Sequence, residues 1–149
     1  MNQHTEDIIG ITVKPNIRML PLIQKITQEI VEQVGLAKDR IPTTALAMEE
    51  VFGYCVKMLR TEKKPSGVTI TYRQERTALH IIIEHQGPQG ILERYFRPGR
   101  EESFKLTTFD AVGLKIARDV VDDLRYVRDY DGTNRFTVTI NLPPEFASQ

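Results

Sequence analysis

The chain has 149 residues, a length that suits one domain able to bury about two thirds of its unfolded surface. Its 20 basic and 20 acidic residues cancel, so charge predicts neither a nucleic acid nor an anionic membrane as a partner. A single cysteine excludes an internal disulfide framework, and no apolar run approaches the roughly 18 residues of a membrane span. The polar first nine residues are unlike a signal peptide. We therefore expect one cytoplasmic domain over residues 1–149.

The first third of the chain predicts a strand followed by a helix. Residues 8–13 are rich in β-branched side chains and end before Lys14 and Pro15, as in a short strand. Asn16 is placed to cap a helix whose apolar stripe runs over residues 17–34. Gly35 then follows as the residue that ends this helix.

Residues 44–60 predict a second, buried helix, around which the rest of the chain is organised. Asp39, Thr43 or Thr44 is expected to start it, with Pro42 in its first turn. Its apolar stripe recurs at steps of three and four through Ile41, Ala45, Met48, Phe52, Cys55 and Leu59.

The second half of the chain predicts two hairpins and a third helix. Residues 68–73 alternate and pair with residues 79–84 across a short link. An apolar stripe over residues 112–124 predicts the third helix. Residues 125–129 and 135–140 then form a closing hairpin.

Between the second hairpin strand and the third helix, residues 91–108 are dense in charge and lack an apolar period. We expect residues 90–108 to be the most mobile internal segment. The order of elements predicts an α+β fold. It is a two-layer sandwich in which a mixed, mostly antiparallel sheet is covered on one face by helices.

Several residues are candidates for chemistry, each beside a plainer interpretation. Glu49 and Glu50 border the apolar stripe of the second helix, where they are either solvated carboxylates or groups facing a cleft. Gly53 costs helix stability, so it serves a close approach or arose by drift. Residues 110–114 either present N–H groups to an anion or form an ordinary cap, and the three histidines show no metal-ligand spacing.

The motifs in this order resemble the bacterial anti-sigma factor/serine protein kinase family, which has the histidine-kinase-like (GHKL) ATPase fold. The resemblance covers about residues 11–142. In that family the second helix carries a glutamate followed four positions later by a magnesium-binding asparagine. Residues 46–50 match this lead-in best with Glu50 as the glutamate, which puts Tyr54 at the asparagine position. A shift of one residue pairs Glu49 with Gly53, and the asparagine is missing there too.

The later family motifs are matched in part. In the family's Asp-x-Gly-x-Gly motif the aspartate binds the adenine amino group. Here His85 stands at the aspartate position and Gly87 at the first glycine. Residues 111–114 match the Gly-x-Gly-Leu helix start without its first glycine, and residues 131–133 match the Gly-Gly-Thr hairpin. The resemblance implies these cofactor-binding positions: Glu50, Tyr54, His85, Gly87, Gly113, Leu114 and Thr133.

The resemblance implies ATP and Mg²⁺ as cofactors, Glu50 as the catalytic group that helps to deprotonate a substrate serine, and a homodimer. It also implies a sigma factor or an anti-sigma factor antagonist as the protein partner. A phenol is a poor Mg²⁺ ligand, and a histidine loses the charge-assisted bond to adenine. We therefore expect a divergent anti-sigma-factor-like regulator that acts by protein binding, with nucleotide binding weak or lost. The alternatives are an active ATP-dependent serine kinase and a purely structural or dimerisation module.

Overall fold

The computed structural model describes residues 5–87 and 109–143. Within these ranges, helices lie on one face of a five-stranded sheet and share one core with it. The elements in chain order are β1 Glu6–Val13, α1 Leu20–Gln33, α2 Ile41–Leu59, β2 Val68–Gln74, β3 Ala78–Gln86, α3 Phe109–Val120, β4 Asp123–Arg128 and β5 Thr133–Asn141. Short 3₁₀ helices, Ile17–Met19 and Lys38–Arg40, precede α1 and α2.

The strand order is β1-β2-β3-β5-β4, and every described pair of neighbours is antiparallel. Alternate residues of each strand point to opposite faces, so the face under the helices is apolar and the other is polar. Ile70, Ile83 and Phe136 lie side by side on the covered face and are fully buried. This arrangement confirms the predicted two-layer α+β fold.

Helix α2 is the central element of the helical layer. Both α1 and α3 pack against it. Met48, Val51, Phe52 and Cys55 are fully buried along its inner side, as the apolar stripe predicts. The buried stripe fixes which side of α2 faces the sheet, and therefore which of its residues can line a groove.

Helix α2 begins earlier than the sequence predicts. Ile41 is its first residue, and Asp39 belongs to the preceding 3₁₀ helix. Thr43 and Thr44 lie inside the helix, where their hydroxyls donate to the carbonyl of Arg40 over 3.0 and 2.8 Å. The prediction that Asp39, Thr43 or Thr44 starts the helix is therefore wrong, and the two threonine hydroxyls bond backwards within the helix instead.

Helix α3 ends earlier than its apolar stripe predicts, at Val120. Leu124 is buried in β4 opposite Val138, rather than on the helix. A leucine four positions beyond Val120 continues a helical period and also fits a strand facing the same core. Strand pairing decides between these two states.

The remaining boundaries agree within a few residues, and both predicted hairpins form. Gly35 has a φ of 78°, the left-handed conformation expected after α1. The mobility predicted for residues 90–108 concerns a segment outside the described residues. No helix in the described ranges combines the length and apolar character needed to cross a membrane.

Candidate functional site

The seven predicted site residues fall into two groups in the structure. Glu50, Tyr54, Gly113 and Leu114 lie where α2 packs against α3. His85, Gly87 and Thr133 lie at the end of β3 and the start of β5, which are hydrogen-bonded neighbours. A polar network and an aromatic cluster connect the second group to the core.

Glu50 lies at the contact between α2 and α3. Its carboxylate rests so close to Gly113 that a Cβ atom at this position would overlap Oε2. Glycine therefore allows Glu50 to lie between the two helices in its present rotamer. Leu114, the next residue, is fully buried and anchors α3 in the core.

A groove of about 290 Å³ runs along α2 beside this contact. Its apolar side includes Ile17, which precedes α1 and is 48% exposed. Gly53 lies between Glu50 at one end of the groove and Lys57 and Arg60 at the other, and Gly113 of α3 also lines the groove. The polar residues of α2 that line this groove are Glu50, Tyr54, Lys57 and Arg60.

Tyr54 is a core residue although it reaches the edge of this groove. Its exposed fraction is 5%. Its ring meets Phe136 edge-on, with 5.8 Å between centroids and 81° between planes. Tyr126 stacks on Phe136 at 5.1 Å. The side chain predicted to stand at a magnesium-binding position thus packs into an aromatic cluster that joins α2 to β4 and β5.

His85 is the second departure from the family motif, and it is buried with 2% of its surface exposed. Nδ1 lies 3.5 Å from the carbonyl oxygen of Gln86, while Nε2 has no hydrogen-bond partner among the described residues. Burial lowers the pKa of His85, the Gln86 carbonyl opposes this shift, and the charge of Arg128 adds to it. His85 is therefore neutral at pH 7, with one nitrogen able to accept or donate a single bond.

Asn134 holds the segment around His85 in place, and the sequence analysis missed it. Its Nδ2 donates to the carbonyl oxygens of His85 and Gly87 over 3.4 and 3.2 Å. Its Oδ1 accepts from the hydroxyl of Tyr126 and from Nη1 of Arg128 at 2.8 Å. Arg128 also donates to the Gly87 carbonyl over 2.9 Å. The Asn134 amide, fully buried, thus uses all of its hydrogen-bonding capacity.

A signal for Asn134 does exist in the sequence. In β5 the buried positions alternate through Asn134, Phe136, Val138 and Ile140, so a single amide continues an otherwise apolar row. A buried amide needs hydrogen-bond partners, and the carbonyls of the neighbouring strand end are the nearest. Only the register of β3 and β5, which places His85 opposite Asn134, identifies them.

Thr133 lies on the other face of β5 from Asn134, next to it in the chain. Its hydroxyl accepts from Nε2 of Gln86 over 2.6 Å, and its N–H donates to the carboxylate of Asp131 over 3.0 Å. The contacts of Thr133 therefore order the hairpin turn. Gly87 lies closer to the core, where a Cβ atom would come within 3.0 Å of Leu59.

Comparison with known proteins agrees with this architecture. The model of the histidine kinase-like ATPase domain family matches residues 13–140. Among solved structures, the chain is similar to the RsbU and RsbW domains of Rv1364c from Mycobacterium tuberculosis, with a TM-score of 0.62 and 14% identity. This match covers 91% of the chain and 33% of the other, and at such identity the likeness shows the fold alone. No curated protein matches the sequence.

Proposed function

The chain belongs to the histidine kinase-like ATPase domain family, and we propose that it is a divergent, anti-sigma-factor-like regulator that acts by binding a protein partner. In this proposal its nucleotide binding is weak or lost. The partner class is a sigma factor or an anti-sigma factor antagonist, the protein works in the cytoplasm, and it forms a homodimer. The motif order of the sequence and the likeness to a structure that includes an RsbW domain support this assignment.

The observation that carries the proposal is the packing of Tyr54. A magnesium ligand must present an oxygen to the ion in near-octahedral geometry. The Tyr54 ring is instead buried edge-on against Phe136, so this side chain packs in the hydrophobic core. The residue at the implied metal position therefore does not fit Mg²⁺.

The environment of His85 supports the same proposal. An aspartate at this position would accept a charge-assisted bond from an adenine amino group. Neutral His85 offers at most one uncharged bond, and the difference corresponds to about 1 kcal/mol or more, roughly fivefold in affinity. The Asn134 network also stabilises the His85 segment through protein groups alone.

An active serine kinase is the second candidate, and the position of Glu50 favours it. This carboxylate is half-buried in a groove, next to the first turns of α3. A carboxylate in such a cleft can accept a proton from a serine hydroxyl that is held within hydrogen-bond reach. In the kinase, Gly113 and Thr133 would help to hold phosphates.

Isothermal titration calorimetry with ATP and with ADP, each with and without Mg²⁺, tests the proposal. We expect no saturable binding at micromolar nucleotide. The Tyr54→Asn/His85→Asp double variant, provided that it folds, tests whether a nucleotide pocket persists beneath these side chains. Micromolar binding of Mg-ATP by the wild type would overturn the loss of nucleotide binding and favour the kinase.

A further inference from the structure

Gly53 is a residue of α2 that the packing of the described core does not explain. Glycine in a helix interior is less favourable than alanine, because it loses more backbone freedom on folding. A buried helix tolerates it where another element approaches too closely for a Cβ atom. At Gly53, however, a Cβ atom would meet no described atom within 4 Å, apart from the helix's own neighbouring backbone. Its small size serves no packing within the described chain.

The open space beside Gly53 is part of the groove along α2. Glu50, Gly53, Lys57 and Arg60 are spaced by three, four and three residues, so they form one row along the helix. The negative charge of Glu50 stands at one end, and Lys57 lies about 10 Å away, two helical turns further on. The glycine lies between these charges, beside the exposed side chain of Ile17.

We infer that this groove docks a helix of the partner protein, with a small apolar side chain seated over Gly53. That helix would carry a basic residue opposite Glu50 and an acidic residue opposite Lys57 and Arg60, two turns apart. Two charges that lie two turns apart on α2 can pair with two opposite charges that lie two turns apart on a second helix. A glycine on a helix face also allows a second backbone to approach closely. The inference rests on the proposed function and names the surface and the partner chemistry that it would use.

The charge distribution argues against a phosphate in the same groove. The Glu50 carboxylate lies at the α3 end, where, without a bound cation, it would repel an anionic group. Lys57 and Arg60 attract an anion only at the other end. An amphipathic helix with one basic and one acidic position satisfies both ends at once.

Because a Cβ atom at Gly53 meets open space, a variant with a larger residue there is expected to fold. Such a variant tests whether the groove binds a helix. A library of displayed helical peptides of 18 residues is selected for binding to the wild-type chain. Affinities of the selected peptides are then measured for wild type, Gly53→Leu and the matched control Glu49→Leu. Glu49 is exposed on the same helix and does not line the groove.

We expect selected peptides to carry basic and acidic positions two turns apart and to bind Gly53→Leu at least tenfold more weakly. Glu49→Leu should bind them within about twofold of wild type. The Glu50→Lys/Lys57→Glu double variant should prefer peptides whose two charges are exchanged. Melting temperatures of the variants establish that each one is folded.

Unchanged affinity for Gly53→Leu, selection of peptides without this pattern, or displacement of bound peptide by tripolyphosphate would overturn the inference. If Gly53→Leu has no effect and the wild type still binds no nucleotide, the groove assignment alone fails. If Mg-ATP binds tightly while peptides remain sensitive to Gly53→Leu, the proposed loss of nucleotide binding alone fails.

Discussion

The ring of Tyr54 on α2 meets the ring of Phe136 on β5 edge-on, with 5.8 Å between the centroids. This contact places Tyr54, the residue at the implied metal position, in the hydrophobic core. Tyr126 extends the cluster by stacking on Phe136, and its hydroxyl donates to Asn134. The packing of α2 and the polar network beside His85 are therefore physically connected.

The first prediction concerns Tyr54→Asn. Removing a buried ring leaves a cavity beside Phe136, so we expect the free energy of unfolding in urea to fall by about 2–4 kcal/mol. Tyr54→Phe retains the ring and should lose less than about 1.5 kcal/mol. A Tyr54→Asn variant as stable as wild type that gains Mg-ATP binding would instead mean that a nucleotide pocket persists.

The second prediction compares the glycines of α2 and α3. Alanine in place of a helix-interior glycine ordinarily stabilises by about 0.5–1 kcal/mol, and the open space at Gly53 should allow this gain. At Gly113 the new methyl group must displace the Glu50 carboxylate, which is the end of a flexible side chain, so we expect a smaller gain there. In a Glu50→Ala background, Gly113→Ala should stabilise by about 0.5–1 kcal/mol.

Urea unfolding measures this coupling between Glu50 and Gly113. The four proteins compared are wild type, Glu50→Ala, Gly113→Ala and the double variant. The Gly53→Ala variant provides the reference for a glycine without a close neighbour. Equal stabilisation by Gly113→Ala in both backgrounds would show that the Glu50 carboxylate does not rest against α3.

The third prediction concerns Asn134→Leu. This substitution removes one hydrogen bond from each of four groups: the carbonyls of His85 and Gly87, the Tyr126 hydroxyl and the Arg128 guanidinium. The Gly87 carbonyl keeps its bond from Arg128. Buried polar groups that lose a partner cost about 1–3 kcal/mol each, so we expect a loss of at least about 2 kcal/mol in unfolding free energy. Thr133→Ala, the neighbouring control, should cost under about 1 kcal/mol, because its bond to Gln86 is exposed.

The elements could be predicted from sequence because their signals are local. The alternation in β2 and the stripe in α2 follow from burial of one face, and Gly35 ends α1 through its left-handed conformation. Leu124 was misassigned because its spacing fits both a helix and a strand. The role of Asn134 depends on the β3–β5 register, a non-local pairing that no local pattern specifies.

Tyr54 illustrates the same limit for the site. Its place in the motif stays a prediction, and the direction of its ring depends on Phe136, 82 positions further along the chain. The open space beside Gly53 is likewise a property of three elements that meet: the 3₁₀ helix before α1, α2 itself and α3. Sequence spacing identified the candidates, and packing decides what each contacts.

The last prediction follows from the lowered pKa of His85, which burial causes. The unfolded chain protonates this imidazole near its ordinary value of 6.5, whereas the folded chain takes up the proton only at lower pH. Between these values the unfolded state binds more protons, so stability should fall as pH drops below about 6.5 and should be fully present above it. Unfolding free energies of wild type and His85→Gln, measured between pH 7.5 and 5, should diverge in slope, with the variant flatter. The control His80→Gln removes a histidine from the polar face of the sheet and leaves His85 in place. It should therefore keep the loss of unfolding free energy at low pH that His85 causes. A wild-type profile as flat as that of His85→Gln would show that His85 is accessible to protons in the folded chain, contrary to its burial beside Gly87.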